Sequence, residues 1–70
     1  MKAVYEVFEK SYWGDKYTEA EVTIWDNGSY VDSFDAPTDI TSIDELIDFV
    51  SDRYEFTLDK FKDITEWEIK

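Results

Sequence analysis

The chain has no cysteine and no histidine, a single proline and two glycines. Without cysteine there are no disulfides, thiolate nucleophiles or thiolate metal ligands. Without histidine there is no imidazole for acid–base work and no ordinary zinc ligand. No apolar run is long enough to span a bilayer, and the N-terminal Met1-Lys2-Ala3-Val4-Tyr5-Glu6 carries no signal-length apolar stretch, so the expected location is the cytoplasm. Bases are scarce as well: seven Lys and Arg stand against 18 Asp and Glu, for a net charge of −11. That balance repels phosphate, so direct nucleic-acid binding is not expected, and neither is adsorption to an anionic membrane surface. No Asp-x-Asp-x-Asp-Gly calcium loop or glycine-rich phosphate cradle occurs. Catalysis would need a carboxylate or lysine site in a pocket, for which a 70-residue domain has little room. The expectation is a protein that is not an enzyme and holds no cofactor or metal.

What remains is unevenly distributed. Between Tyr17 and Asp59 lie twelve carboxylates and one base, Arg53, a stretch that accounts for the whole net charge of −11. The ends are balanced, with six acids against Lys2, Lys10, Lys16, Lys60, Lys62 and Lys70. Segregated charge costs stability through self-repulsion and creates a field that attracts a basic partner. Acidic disordered chains are poor in aromatic residues, whereas this one has three Trp, five Tyr and five Phe. Residues 1–70 therefore read as one folded acidic domain.

Residues 3–12 and 17–25 are rich in Val, Tyr, Phe, Thr, Ile and Trp and read as strands, separated by the turn-competent pair Gly14-Asp15. Asp26-Asn27-Gly28 is the stronger signal, since Asn-Gly suits a two-residue type I′ turn, and it joins 17–25 to a strand at 29–34. An uninterrupted register then sets Trp25 against Tyr30, Ile24 against Val31, Thr23 against Asp32 and Glu21 against Phe34. One face holds Thr18, Ala20, Val22, Ile24 and Val31 as a core. The other holds Tyr17, Glu19, Glu21, Thr23, Trp25, Tyr30, Asp32 and Phe34, joined by Phe8 and Tyr12. The same register puts Glu9 on the core side, which a bulge in the first strand would repair.

After the connector at 35–41, Ser42 and Glu45 have the spacing of a capping box. Ile43, Leu46, Ile47, Val50 and Tyr54 follow helical periodicity, predicting a helix at roughly 43–54. Residues 57–61 could form a short helical turn, and 63–69 alternate like a strand, with Thr65, Trp67 and Ile69 on one side. The expected fold is α+β: a small antiparallel or mixed sheet in the order β-β-β-α-β, with one amphipathic helix packed on one face.

One helix covers one face of such a sheet, leaving Trp25, Tyr30 and Phe34 exposed among Glu19, Glu21 and Asp32. Rings in an exposed patch serve an interface; rings paired across strands stabilise a small sheet. On the helix, Asp44, Asp48 and Asp52 recur at i, i+4, i+8, flanked by Glu45 and Glu55. They lie in one polar sector, about 6 Å apart along the axis at ~1.5 Å per residue. Like charges at that spacing are mildly destabilising, and Asp52 sits at the wrong end of the helix dipole. Glu19 and Glu21, two apart on a strand, are spaced by about 6.6 Å. Both pitches are of the order of the phosphate repeat of a nucleic-acid strand, so these carboxylates can occupy Arg and Lys side chains that grip a phosphate backbone. The plainer reading is a solvated face that keeps the protein soluble.

With these features the chain resembles the small acidic proteins that phages and other mobile elements use against host defence, the DNA mimics and anti-CRISPR inhibitors. The likeness is one of character: short, acidic, free of cysteine, a few strands and one helix bearing ordered carboxylates. It implies stoichiometric inhibition, in the host cytoplasm, of a basic nucleic-acid-binding protein such as a CRISPR effector or a restriction enzyme. In Cas9-type effectors arginines read the PAM and a basic channel holds the strands. The partner-binding residues expected on this reading are Asp44, Glu45, Asp48, Asp52 and Glu55 from the helix and Glu19, Glu21 and Asp32 from the sheet, with Trp25, Tyr30 and Phe34 supplying contact area. The alternative is a structural or regulatory interaction module, a homodimer or the binder of one partner, that uses the exposed aromatic sheet face.

Overall fold

Asn27 and Gly28 sit at φ 50° and 82°, the left-handed pair that a type I′ turn demands. Around them β2 (Asp15–Asp26) pairs antiparallel with β3 (Ser29–Ala36), and Trp25 faces Tyr30 as the turn chemistry requires. The computed structural model describes residues 1–53 and 62–70. β1 (Lys2–Tyr12) pairs antiparallel with β2, and β4 (Glu66–Ile69) pairs parallel with β1. The sheet is therefore mixed, in the order β3-β2-β1-β4, and with the single described helix, α1 (Ile43–Arg53), it gives the expected α+β architecture.

The register differs from the simple one after a single pair. Ile24 faces Asp32, Thr23 faces Ser33, Val22 faces Phe34 and Glu21 faces Asp35, with the irregularity between Ile24 and Trp25. Val31 is the extra residue, a bulge that leaves it 38% exposed and out of the core. Because side chains alternate with period two, one inserted residue exchanges the two faces of everything beyond it. The expected pairs Ile24–Val31, Thr23–Asp32 and Glu21–Phe34 are thereby overturned. Phe34 passes to the helix side, where it is 8% exposed and its ring lies 6.0 Å from that of Phe49. Burial of a phenyl ring outweighs the ladder disturbance of one bulge.

The first hairpin also turns one residue earlier than expected. Tyr12 faces Asp15, so the loop is Trp13-Gly14, at φ 54° and 85°, and not Gly14-Asp15. Phe8 and Tyr12 keep their expected face. Glu9 does lie on the helix side, opposite Thr18, but both are exposed beyond the core, and β1 needs no bulge to accommodate them. Thr18 consequently contributes nothing to the core.

The core lies between sheet and helix: Ala3, Tyr5, Ala20, Val22, Ile24 and Phe34 from the strands, Leu46 and Val50 from α1, and Ile40 and Ile64 from the flanking segments. Trp67 and Ile69 of β4 pack against it as their alternation predicts. The buried Tyr5 donates its hydroxyl to the Pro37 carbonyl at 2.6 Å, satisfying its polar end and pinning the connector. Ser42 caps α1: its Oγ accepts from the Glu45 amide at 3.2 Å and its carbonyl from Leu46 at 3.1 Å, while the Glu45 carboxylate accepts from Thr41 Oγ1 at 3.1 Å. Tyr54 and the expected turn at 57–61 lie outside the described residues. Within those residues no helix is long and apolar enough to cross a membrane.

Candidate partner-binding surface

The helix turns Leu46 and Val50 to the sheet, which points the sector of Asp44, Glu45, Asp48 and Asp52 the other way, and all four are exposed. Among the described residues the ion pairs are Lys2–Glu68 at 2.9 Å and Lys10–Glu19 at 3.1 Å. Among these residues Asp44, Asp48 and Asp52 thus have no cation partner. Arg53 lies over the Phe34 ring, 5.5 Å from its centroid, where it also suits the C-terminal end of the helix dipole. Glu55 lies outside the described residues.

The outer face of the sheet, away from α1, holds a second acidic group. Register places Glu6 opposite Glu21 and Glu21 opposite Asp35, a row of three carboxylates across β1, β2 and β3. At a strand spacing of ~4.8 Å the row spans about 10 Å. Like charges directly opposite one another oppose folding. Glu66 and Glu68 extend this face on β4, beside Lys2 and Val4. Glu19 belongs to the same face but is held by Lys10, and Lys2 is held by Glu68. The Lys2 ammonium is pushed up by its hydrogen bond and charge interaction with Glu68, and the same contact holds the Glu68 carboxyl below its ordinary 4.5. Lys10 is raised in the same way, first by its hydrogen bond to Glu19 and then by that carboxylate's charge.

Trp25 and Tyr30 do form an exposed pair on this face, edge to face with centroids 6.1 Å apart, and Tyr30 shares a 2.9 Å hydrogen bond with Ser33 Oγ. Phe34 is not with them, because the bulge at Val31 buries it. The bulge also takes Asp32 off the outer face, to a position opposite Ile24, where its Oδ1 accepts from the Ser33 amide at 2.8 Å. Two expected members of the patch are therefore corrected, and two unanticipated carboxylates, Glu6 and Asp35, join Glu21. Their only signal is the pair of strand registers taken together.

The helix acids and the sheet acids face opposite directions and do not form one flat footprint. A shallow groove of 510 Å³ opens on the outer side among Lys2, Val4, Trp25, Glu66 and Glu68. Among the described residues no cluster of carboxylates has the arrangement of a metal site.

No protein-family model matches the chain, and no curated protein or solved structure is significantly similar to it. The functional reading rests on the surface alone.

Proposed function

We propose that the protein is a stoichiometric, anti-CRISPR-like inhibitor of a nucleic-acid-binding host-defence protein, and that its acidic surface stands in for a phosphate backbone. The observation that carries this reading is the helix face, where Asp44, Asp48 and Asp52 are exposed at one-turn intervals with no cation partner among the described residues, while Arg53 is turned onto Phe34. A helix shaped by stability alone would interleave lysines with these acids.

Dimensions support the same reading. The molecule measures 42 × 24 × 22 Å and carries a net charge of −11, roughly 4 Å of length per charge. Duplex DNA carries one charge per about 1.7 Å, and one of its strands one per about 3.4 Å. Averaged along its long axis, the protein's charge is of the order of a single strand's, divided between the helix face and the outer face of the sheet. Arginines and lysines that would neutralise phosphates meet carboxylates instead. A flat basic surface engages the helix face; a channel that closes around its strand also meets Glu6, Glu21 and Asp35 on the opposite side. Charge attraction speeds encounter, and packed contacts slow release.

The test is capture by the tagged protein from lysate of a cell that carries such defences, eluted with rising salt or competing duplex DNA. The expected partner is a basic nucleic-acid-binding protein released by both eluents. Its capture is lost on Asp44→Lys with Asp48→Lys and kept on Trp25→Ala. The second reading, an interaction module, is favoured by the exposed Trp25–Tyr30 pair and by the edge of β1 from Glu6 to Tyr12, which β4 leaves unpaired. A partner indifferent to salt and DNA, and lost on Trp25→Ala, would establish that reading and overturn the first.

A further inference from the structure

β4 leaves β1 at Tyr5 and β3 leaves β2 at Ala20. Beyond that point β1 and β2 continue as a two-stranded ribbon as far as the Tyr12–Asp15 pair. Both of its faces are exposed, and such ribbons are marginal in water by themselves. At the crest, Trp13 is fully exposed and lies in the left-handed region at φ 54°. A bulky side chain there is strained. The same chain builds the same turn without that strain: Asn27-Gly28 has φ 50° and 82°, against 54° and 85° for Trp13-Gly14. Among the described residues no contact of the fully exposed Trp13 ring offsets the strain.

The neighbours of Trp13 indicate what it meets. Tyr12, Asp15 and Tyr17 share the outer face of the ribbon tip, with the two phenol rings 6.1 Å apart and tilted by 55°. Asp15 is in no ion pair among the described residues. On the same face Lys10 lies directly opposite Tyr17 and shows how such groups hold a cation, with its Nζ 5.4 Å from the Phe8 centroid and 3.1 Å from Glu19. Arg53 over Phe34 repeats the ring–cation contact. Flat aromatic faces beside a carboxylate suit the planar, weakly hydrated guanidinium better than the compact ammonium.

We propose that the hairpin tip is an arginine anchor, in which Trp13 at the crest, with Tyr12, Asp15 and Tyr17 on the strands that lead into the turn, takes a guanidinium from the partner's surface. The proposal rests on the reading above that the partner is basic, and it adds a preference for arginine over lysine that charge alone does not give.

The test is a titration of labelled oligo-arginine and oligo-lysine peptides of equal length, followed by fluorescence anisotropy at low salt. The arginine peptide is expected to bind about two- to fivefold more tightly, the range of an exposed cation–π contact. Trp13→Asn, which restores the strain-free turn and melts no lower than the parent, brings the arginine peptide to the affinity of the lysine peptide. Trp13→Tyr keeps a ring at the same backbone strain and keeps the preference. Asp44→Lys with Asp48→Lys weakens both peptides and leaves their ratio unchanged. Equal affinities in the parent, or a preference that survives Trp13→Asn, would overturn the anchor while leaving a basic partner in place. Failure of both peptides to bind would overturn the basic-partner reading as well.

Discussion

Replacing Glu21 by Gln should stabilise the protein. Glu21 sits between Glu6 and Asp35 on the outer face of the sheet. Directly opposed Cβ atoms lie about 4.5–5.5 Å apart, and splayed carboxylates about 6 Å. In water each such pair costs about 0.7 kcal/mol before screening. Screening over a Debye length of about 10 Å roughly halves that, so two neighbours together cost about 0.5–1 kcal/mol. In a domain of this size 1 kcal/mol moves Tm by about 4–8 °C, so the gain should be about 2–8 °C. Glu6→Gln relieves one of the two repulsions and should gain about half as much. The assay is thermal denaturation by circular dichroism at about 0.01 M and about 1 M salt, where the Debye length falls from about 30 Å to about 3 Å. The gap between parent and variant should be largest at low salt and nearly vanish at high salt. A Glu21→Gln protein that melts at or below the parent at low salt would refute the reasoning, as would a gap that ignores salt.

The bulge at Val31 makes Phe34 and Tyr30 unequal: Phe34→Ala should cost about 3–5 kcal/mol in urea denaturation, enough to unfold much of the population, and Tyr30→Ala well under 1 kcal/mol. Equal, small losses would mean that Phe34 is not in the core. The Glu68 carboxyl, held below 4.5 by Lys2, adds stability that is full above the unfolded-state value and is lost as pH falls through the lower folded-state value. Its NMR titration should therefore fall below 4.5, and Lys2→Ala should bring it back; a midpoint that Lys2→Ala does not move would contradict the pairing.

The parts of the fold set by local chemistry were legible before the structure. Asn27-Gly28 fixed its hairpin because few other residues accept two left-handed positions, and Ser42 with Glu45 marked the start of α1. The Val31 bulge was not legible, because nothing local to Trp25–Val31 requires it; it is decided by burial of Phe34 against Val22 and Phe49, contacts set by the docked helix. The Trp13-Gly14 turn is illegible for the opposite reason, since turn preferences favour Gly, Asn and Asp and a bulky residue such as Trp13 is disfavoured at positive φ. Of the candidate surface, the helix acids could be read from spacing within one element. The Glu6–Glu21–Asp35 row could not, because it depends on two registers at once, one of them carrying the bulge. From sequence Glu19 reads as a free carboxylate, but β1 sets Lys10 opposite Tyr17 and within 3.1 Å of Glu19.

The measurement that bears most directly on the central claim is displacement of duplex DNA from the captured partner by the parent and by the Asp44→Lys, Asp48→Lys variant. The parent is expected to release the DNA at one equivalent, less effectively as salt rises, and the variant, folded by circular dichroism, to leave the DNA bound. Displacement by both proteins alike, or by neither, would contradict it.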